Sequence, residues 1–217
     1  MKKHLIYFIL SVTIFMISSV SFAKTNYRLL VFGDSLSAGY GVGEKNSFAS
    51  ILQKELIKKG YKNVRVINQS KSGETTSGGL SRLKKALDSV KPNGVLLELG
   101  INDVLRGSSI SLIESNLERM IKMCQERDIS VLLVGMKAPL YASILYQKEF
   151  NGLYEKLASK YHLMLYPFFM KGLIQIENGA PVSKYTLADK VHPNVHGIAL
   201  MVKNIMPYIE KFLKQSQ

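Results

Sequence analysis

Leu29-Leu30-Val31-Phe32-Gly33-Asp34-Ser35-Leu36 is the stretch on which the reading of this chain turns. Its apolar half reads as a strand buried on both faces, the habit of a parallel sheet covered by helices. Gly33 then lets the backbone turn sharply, and Ser35 leaves the sheet with its hydroxyl free. Small and flexible residues follow, Ser37-Ala38-Gly39-Tyr40-Gly41. Taken alone, Gly-Asp-Ser is a common turn. It gains weight from Asp189-Lys190-Val191-His192-Pro193 near the other end, where a carboxylate and an imidazole stand three residues apart.

Outward from that strand, strand-like and helix-like segments alternate, which is the pattern of a parallel sheet with helices on its faces. Residues 27–32 read as the first strand. A helix over 47–59 carries Phe48, Ile51, Leu52 and Leu56 at helical spacing and ends at Gly60. A short second strand, 64–67, leads through a turn-rich segment to a helix over 80–90. Residues 95–99 are the third strand. Ser109 opens a helix with Leu112, Ile113, Leu117, Met120, Ile121 and Cys124 on one stripe, and 129–134 is the fourth strand. A helix over 146–161, a fifth strand over 163–166, a helical turn around 172–176 and a last helix from Asn194 to about Leu213 complete the chain. The expected fold is a three-layer α/β/α sandwich with a flavodoxin-like five-stranded parallel sheet in the order 2-1-3-4-5. In that order ligands bind between the first and third strands, at their carboxyl ends. Ser35 follows the first strand and Asn102 the third, so both belong to one crevice.

The chain has 217 residues, enough for one domain with a sizeable core. Lys2 and Lys3 precede an apolar run over 5–20, and Ser21-Phe22-Ala23 supplies the small residues of a cleavage site. Residues 1–23 are therefore expected to be a signal peptide and 24–217 a single exported domain, with an uncleaved anchor as the alternative. No cysteine follows the run, so a lipoprotein anchor has no attachment point there. The single cysteine, Cys124, rules out an internal disulfide and sits on a core stripe. The net charge of +13 becomes +11 once Lys2 and Lys3 are removed. Its lysines are scattered over helical faces rather than gathered with aromatics, so the expected partners exclude nucleic acid. Peripheral contact with an anionic membrane surface is retained as a minor expectation.

Four stretches could carry chemistry. Serine is a weak nucleophile until a base stands within hydrogen-bond reach. His192 fits that part, because an aspartate three residues earlier can accept from Nδ1–H and leave Nε2 for the serine proton. Pro193 restricts the backbone of His192. His4 lies in the signal, and His162 and His196 lack such an upstream acid. The second stretch runs from Asn68 to Thr76, where Gly73 leaves its N–H unobstructed for a developing oxyanion and Thr75 or Thr76 can cap the next helix. In the third, Gly100-Ile101-Asn102-Asp103, the Asn102 amide can donate to the same oxygen. The fourth is the loop over 136–144, which with Leu105 and Phe169 could line an apolar acyl pocket. No histidine–cysteine spacing points to a metal, and no cofactor is expected.

In their order along the chain these blocks resemble the SGNH (GDSL-type) hydrolases, and most of all the bacterial subfamily of periplasmic thioesterases, lysophospholipases and arylesterases. The likeness lies in Gly-Asp-Ser-Leu-Ser-Ala-Gly-Tyr at 33–40, Ser72-Gly73-Glu74-Thr75-Thr76, Glu98-Leu99-Gly100-Ile101-Asn102-Asp103, and Asp189-Lys190-Val191-His192-Pro193-Asn194. The resemblance implies Ser35 as nucleophile, His192 as general base and acid, and Asp189 rather than the neighbouring Asp34 as its orienting carboxylate. It implies an oxyanion hole made of the Ser35 N–H, the Gly73 N–H and the Asn102 side chain. Ile101 stands where a small residue or glycine is common, Glu74 where Asp is commoner, and Lys190 where Gly is commoner; these departures bear on substrate fit. The expected substrate is a small acyl ester or thioester, a lipid among the candidates. The rival readings are a carbohydrate O-acetylesterase and, more remotely, a binding module whose serine loop holds a phosphate.

Overall fold

The computed structural model describes residues 26–174 and 181–216; the signal expected over 1–23 lies outside them. Five parallel strands form one sheet: β1 (Tyr27–Gly33), β2 (Val64–Asn68), β3 (Gly94–Glu98), β4 (Ser130–Val134) and β5 (Met164–Tyr166), in the order β2-β1-β3-β4-β5. This is the order expected from the sequence. Between the strands run α1 (Ser35–Ala38), α2 (Phe48–Lys58), α3 (Thr76–Val90), α4 (Ile101–Leu105), α5 (Ile110–Gln125) and α6 (Ile144–Tyr161), and α7 (Val195–Gln215) follows β5. Helices α2 and α7 pack together on one face, while α3, α5 and α6 line up on the other. The result is three layers.

The middle of the sheet is the most apolar part of the chain because both of its faces are covered. Leu29 to Phe32, Val95 to Leu97 and Leu132 to Val134 are fully buried, and each such side chain contributes about 1.5–3 kcal/mol relative to exposure. Register pairs Leu30 with Val95, Leu96 with Leu132 and Leu133 with Leu165. At the carboxyl edge it pairs Gly33 with Glu98. The chain leaves β1 toward β2 on one side and leaves β3 toward β4 on the other, so a crevice opens above that pair.

Three departures from the sequence reading have local causes. Helix α3 begins at Thr76, four residues earlier than its apolar stripe suggests. Gly78 and Gly79 read as loop residues, yet Thr75 caps the helix by accepting from Gly78 N at 3.2 Å. A side chain at Gly79 would press into Leu99 Cδ1, so close packing on the sheet explains the glycine. Helix α6 likewise starts at Ile144, with Ser143 as its cap. The short helices α1 and α4 have no counterpart in the sequence pattern, since four or five residues carry no periodicity. The turn expected around 172–176 is described only as far as Ile174, which bridges Lys171 and Pro181. No helix among the described residues is long and apolar enough to cross a membrane.

Candidate active site

Asp34 ends the first strand's turn as the cap of α1, its Oδ1 accepting from Leu36 N at 2.9 Å. Capping satisfies a helix donor that would otherwise lack a partner. It also sets Ser35 as the first residue of α1, half-buried at the sheet edge. A Cβ at Gly33 would collide with Glu98 Oε2, so the tight turn requires the glycine.

Ser35 Oγ lies 2.9 Å from His192 Nε2, and His192 Nδ1 lies 2.8 Å from Asp189 Oδ2. Asp189 Oδ1 accepts from the backbone N–H groups of Val191 and His192, at 2.9 and 3.0 Å. Its slight desolvation pushes the carboxyl up, but those donations and the imidazole outweigh it and hold the group below the usual aspartate value. The loop is fastened locally: Leu187 N donates to His192 O at 2.8 Å, and Asn194 caps α7 by accepting from Gly197 N at 3.0 Å. Lys190 has φ 58°, a left-handed conformation that glycine adopts without strain. The Tyr40 ring packs against the imidazole with centroids 4.3 Å apart and the planes tilted by 38°. Of the other histidines, His162 caps the C-terminus of α6 at the opposite edge of the sheet, and His196 is exposed in the first turn of α7.

Asn102 stands in α4 and gives one amide hydrogen to Asp34 Oδ2 at 2.9 Å. An amide nitrogen carries two donors, so the second hydrogen is free for another acceptor. Gly73 has φ 74° and its carbonyl is held by Arg106 Nη2 at 2.9 Å. Neither the Gly73 N–H nor the Ser35 N–H is spent on a protein acceptor among the described residues. Asp103, one residue on, faces the other way: its carboxylate takes Thr76 N at 2.8 Å and Thr76 Oγ1 at 2.6 Å. It locks the start of α3, and hence the Gly73 turn, to α4.

In the sequence Glu98 stands only as the first residue of the third block, with no role of its own. It is fully buried at the end of β3, and Oε2 accepts from Asp34 N at 3.2 Å and Ser37 Oγ at 2.9 Å. Burial and the nearby Asp34 raise its pKa well above the usual glutamate range. Burial likewise pushes Asp34 up to about 7, against the bonds from Leu36 and Asn102. An acid at the end of an otherwise apolar strand was the available signal.

Beside the row a cavity of about 600 Å³ opens, walled by Ile101, Leu105, Met136, Ala138, Phe168 and Met170 among others, with Lys190 and Val191 at its edge. Phe169, expected in this pocket, is instead buried against Phe48 with ring centroids 5.0 Å apart. Alternation along the segment after β5 turns Phe168 and Met170 to the cavity and Phe169 to the core. Among the described residues no cluster of His, Cys, Asp and Glu is arranged to hold a metal.

A doubly wound sheet with serine, histidine and aspartate at its carboxyl edge is the architecture of a class of ester hydrolases. Residues 31–200 match the GDSL-like lipase/acylhydrolase family, and the chain belongs to it, an SGNH-type hydrolase of ester bonds. It is 35% identical over 207 residues to an arylesterase of Vibrio mimicus, covering 95% of this chain and 96% of that one. It is also 35% identical to esterase TesA of Pseudomonas aeruginosa over 85% of this chain and 89% of that one. The crystal structure of the psychrotrophic esterase EstA from Pseudoalteromonas sp. superposes with a TM-score of 0.79 at 30% identity, over 86% and 98% of the two chains.

The buried acids make stability pH-dependent. An acid whose pKa is raised on folding binds more protons in the folded state, so its stabilisation is complete below its unfolded value and fades as pH rises through the folded one. For Asp34 that window runs from the ordinary 3.8 to about 7. Urea unfolding across the window should show stability falling with pH, and a shallower fall in Asp34→Asn. Equal slopes would mean that the carboxyl is not penalised by burial.

Proposed function

We propose that the protein is an exported serine esterase or thioesterase that works through an acyl-enzyme on Ser35. The observation that carries the reading is the unbroken row from Asp189 Oδ2 through His192 to Ser35 Oγ, with both links under 3 Å. His192 Nε2 takes the Ser35 proton as Oγ attacks the ester or thioester carbonyl. Asp189 accepts from Nδ1–H, fixes the tautomer and stabilises the imidazolium. The negative oxygen is received by the Ser35 N–H, the Gly73 N–H and the second hydrogen of Asn102 Nδ2. His192 then returns the proton to the leaving alcohol or thiol. Water, deprotonated by the same imidazole, attacks the acyl-enzyme, and the acid departs as Ser35 recovers its proton.

The acyl chain is assigned to the cavity beside Ile101, whose walls are chiefly apolar. Each buried methylene is worth about 0.8 kcal/mol, or about fourfold in kcat/KM while room remains. The relatives' names, arylesterase and esterase, agree with an ester-cleaving reading. The basic apolar N-terminus supports export, with cleavage after Ala23 leaving residues 24–217 as one domain.

Ser35→Ala should abolish hydrolysis of a nitrophenyl ester and labelling by a fluorophosphonate; full activity in that variant would sink the mechanism. Asn102→Ala should fold and lose about 10²–10³ in kcat, the usual effect of removing one oxyanion donor. A nitrophenyl ester series from acetyl to palmitoyl should rise beyond acetyl before levelling off, whereas a maximum at acetyl would favour the carbohydrate O-acetylesterase. The intact mass of protein recovered from an exporting cell should correspond to a chain beginning at Lys24; a mass retaining residues 1–23 would point to the uncleaved anchor.

A further inference from the structure

Large apolar side chains stand in water at the mouth of the cavity. Tyr141 is 81% exposed, Ile144 87% and Leu145 66%, and Leu105, Leu140 and Val191 extend the same surface. Leu105, Leu140, Tyr141 and Val191 also belong to the cavity wall, so the patch and the cavity are continuous. The projecting segment is held in shape by defined bonds. Gln147 Nε2 donates to Leu140 O at 3.1 Å and to Ala142 O at 2.7 Å, and Tyr146 OH donates to Ser108 O at 2.9 Å. A contiguous apolar patch maintained in water marks an interaction surface.

The charges around it are one-sided. Arg106 follows Leu105, Lys137 and Lys190 edge the cavity, and Lys148 lies one turn along α6 from Ile144. Farther along α6, Lys156 pairs with Glu114 and Lys160 with Glu118, both at 2.6 Å. Among the described residues none of the four cations around the patch makes a salt bridge. Glu149 is the acid that accompanies Lys148 on α6, and Asp189 is engaged by His192.

We propose that this face docks the protein on an anionic phospholipid surface, with Tyr141, Ile144 and Leu145 entering the boundary between headgroups and acyl chains. Arg106, Lys137, Lys148 and Lys190 meet the lipid phosphates. Apolar insertion framed by cations is the combination that binds such surfaces. A second copy of the chain fits less well, because a self-complementary contact would bring these cations against one another. Docked this way, the cavity opens toward the bilayer and an acyl chain enters it without crossing water. That last step rests on the acyl-hydrolase reading; the docking does not.

The test is co-sedimentation with vesicles of phosphatidylcholine, with and without phosphatidylglycerol, at low and high salt. Variants share the parent's N-terminus, so differences among them report the patch alone. The parent and Ser35→Ala should bind phosphatidylglycerol vesicles equally, and more weakly at high salt. Ile144→Gln/Leu145→Gln should weaken binding by about tenfold or more, and Lys148→Gln by about fivefold. Both should hydrolyse a soluble short-chain nitrophenyl ester like the parent, because neither touches the cavity wall. Absence of parent binding, binding unchanged in these variants, or a parent dimer that Ile144→Gln/Leu145→Gln dissolves would each overturn the proposal. Docking by a protein that fails to hydrolyse any ester would leave this proposal standing and remove the catalytic one.

Discussion

Glu98 Oε2, buried at the end of β3, takes the Asp34 N–H and the Ser37 hydroxyl, and Asp34 in turn takes the Leu36 N–H and the Asn102 amide. Through these four bonds the turn after β1 and the turn after β3 become one unit. The parallel register that sets Gly33 opposite Glu98 is what makes the contact possible. Two acids in so dry a place cannot both ionise cheaply, which is why both pKa values rise. Asp103, holding the start of α3 through Thr76, adds the Gly73 turn to the same unit. Three of the four loops around Ser35 are therefore positioned by buried carboxyl groups at the sheet edge.

The fourth loop is built differently. Asp189 and His192 are brought in by a surface segment whose order comes from its own short-range bonds and from the cap of α7. Its exposed carboxylate stays ionised because it accepts two backbone donors and the imidazole. The site thus joins a rigid half, fixed by burial, to an imidazole half open to water. Tyr40 covers one face of the ring.

The cavity and its rim reflect a third constraint. Segments 136–145 and 168–174 carry many apolar residues, and only some of them turn inward. Phe169 joins the core while Phe168 and Met170 wall the cavity, and Tyr141, Ile144 and Leu145 remain outside. A loop that keeps such residues in water, fastened by Gln147 and Tyr146, holds an apolar surface ready for contact.

By itself the sequence determined the alternation of strands and helices and the residue types gathered at the sheet edge, while the strand order was an expectation drawn from the flavodoxin-like class. Those signals are local: apolar runs of strand length, stripes at helical spacing, and an acid three residues before a histidine. The tertiary structure alone decided which acids are buried. Glu98 reads as one more charged residue until register places it under Gly33, and Asp103 until α4 turns it toward Thr76. It also decided where α3 begins, because Gly78 and Gly79 look like loop until Glu74 crowds the first and Leu99 the second. The sides taken by Phe168 and Phe169, and the exposure of Ile144, were beyond the sequence for the same reason. Facing depends on what the rest of the chain packs against, and no short window of residues contains that information.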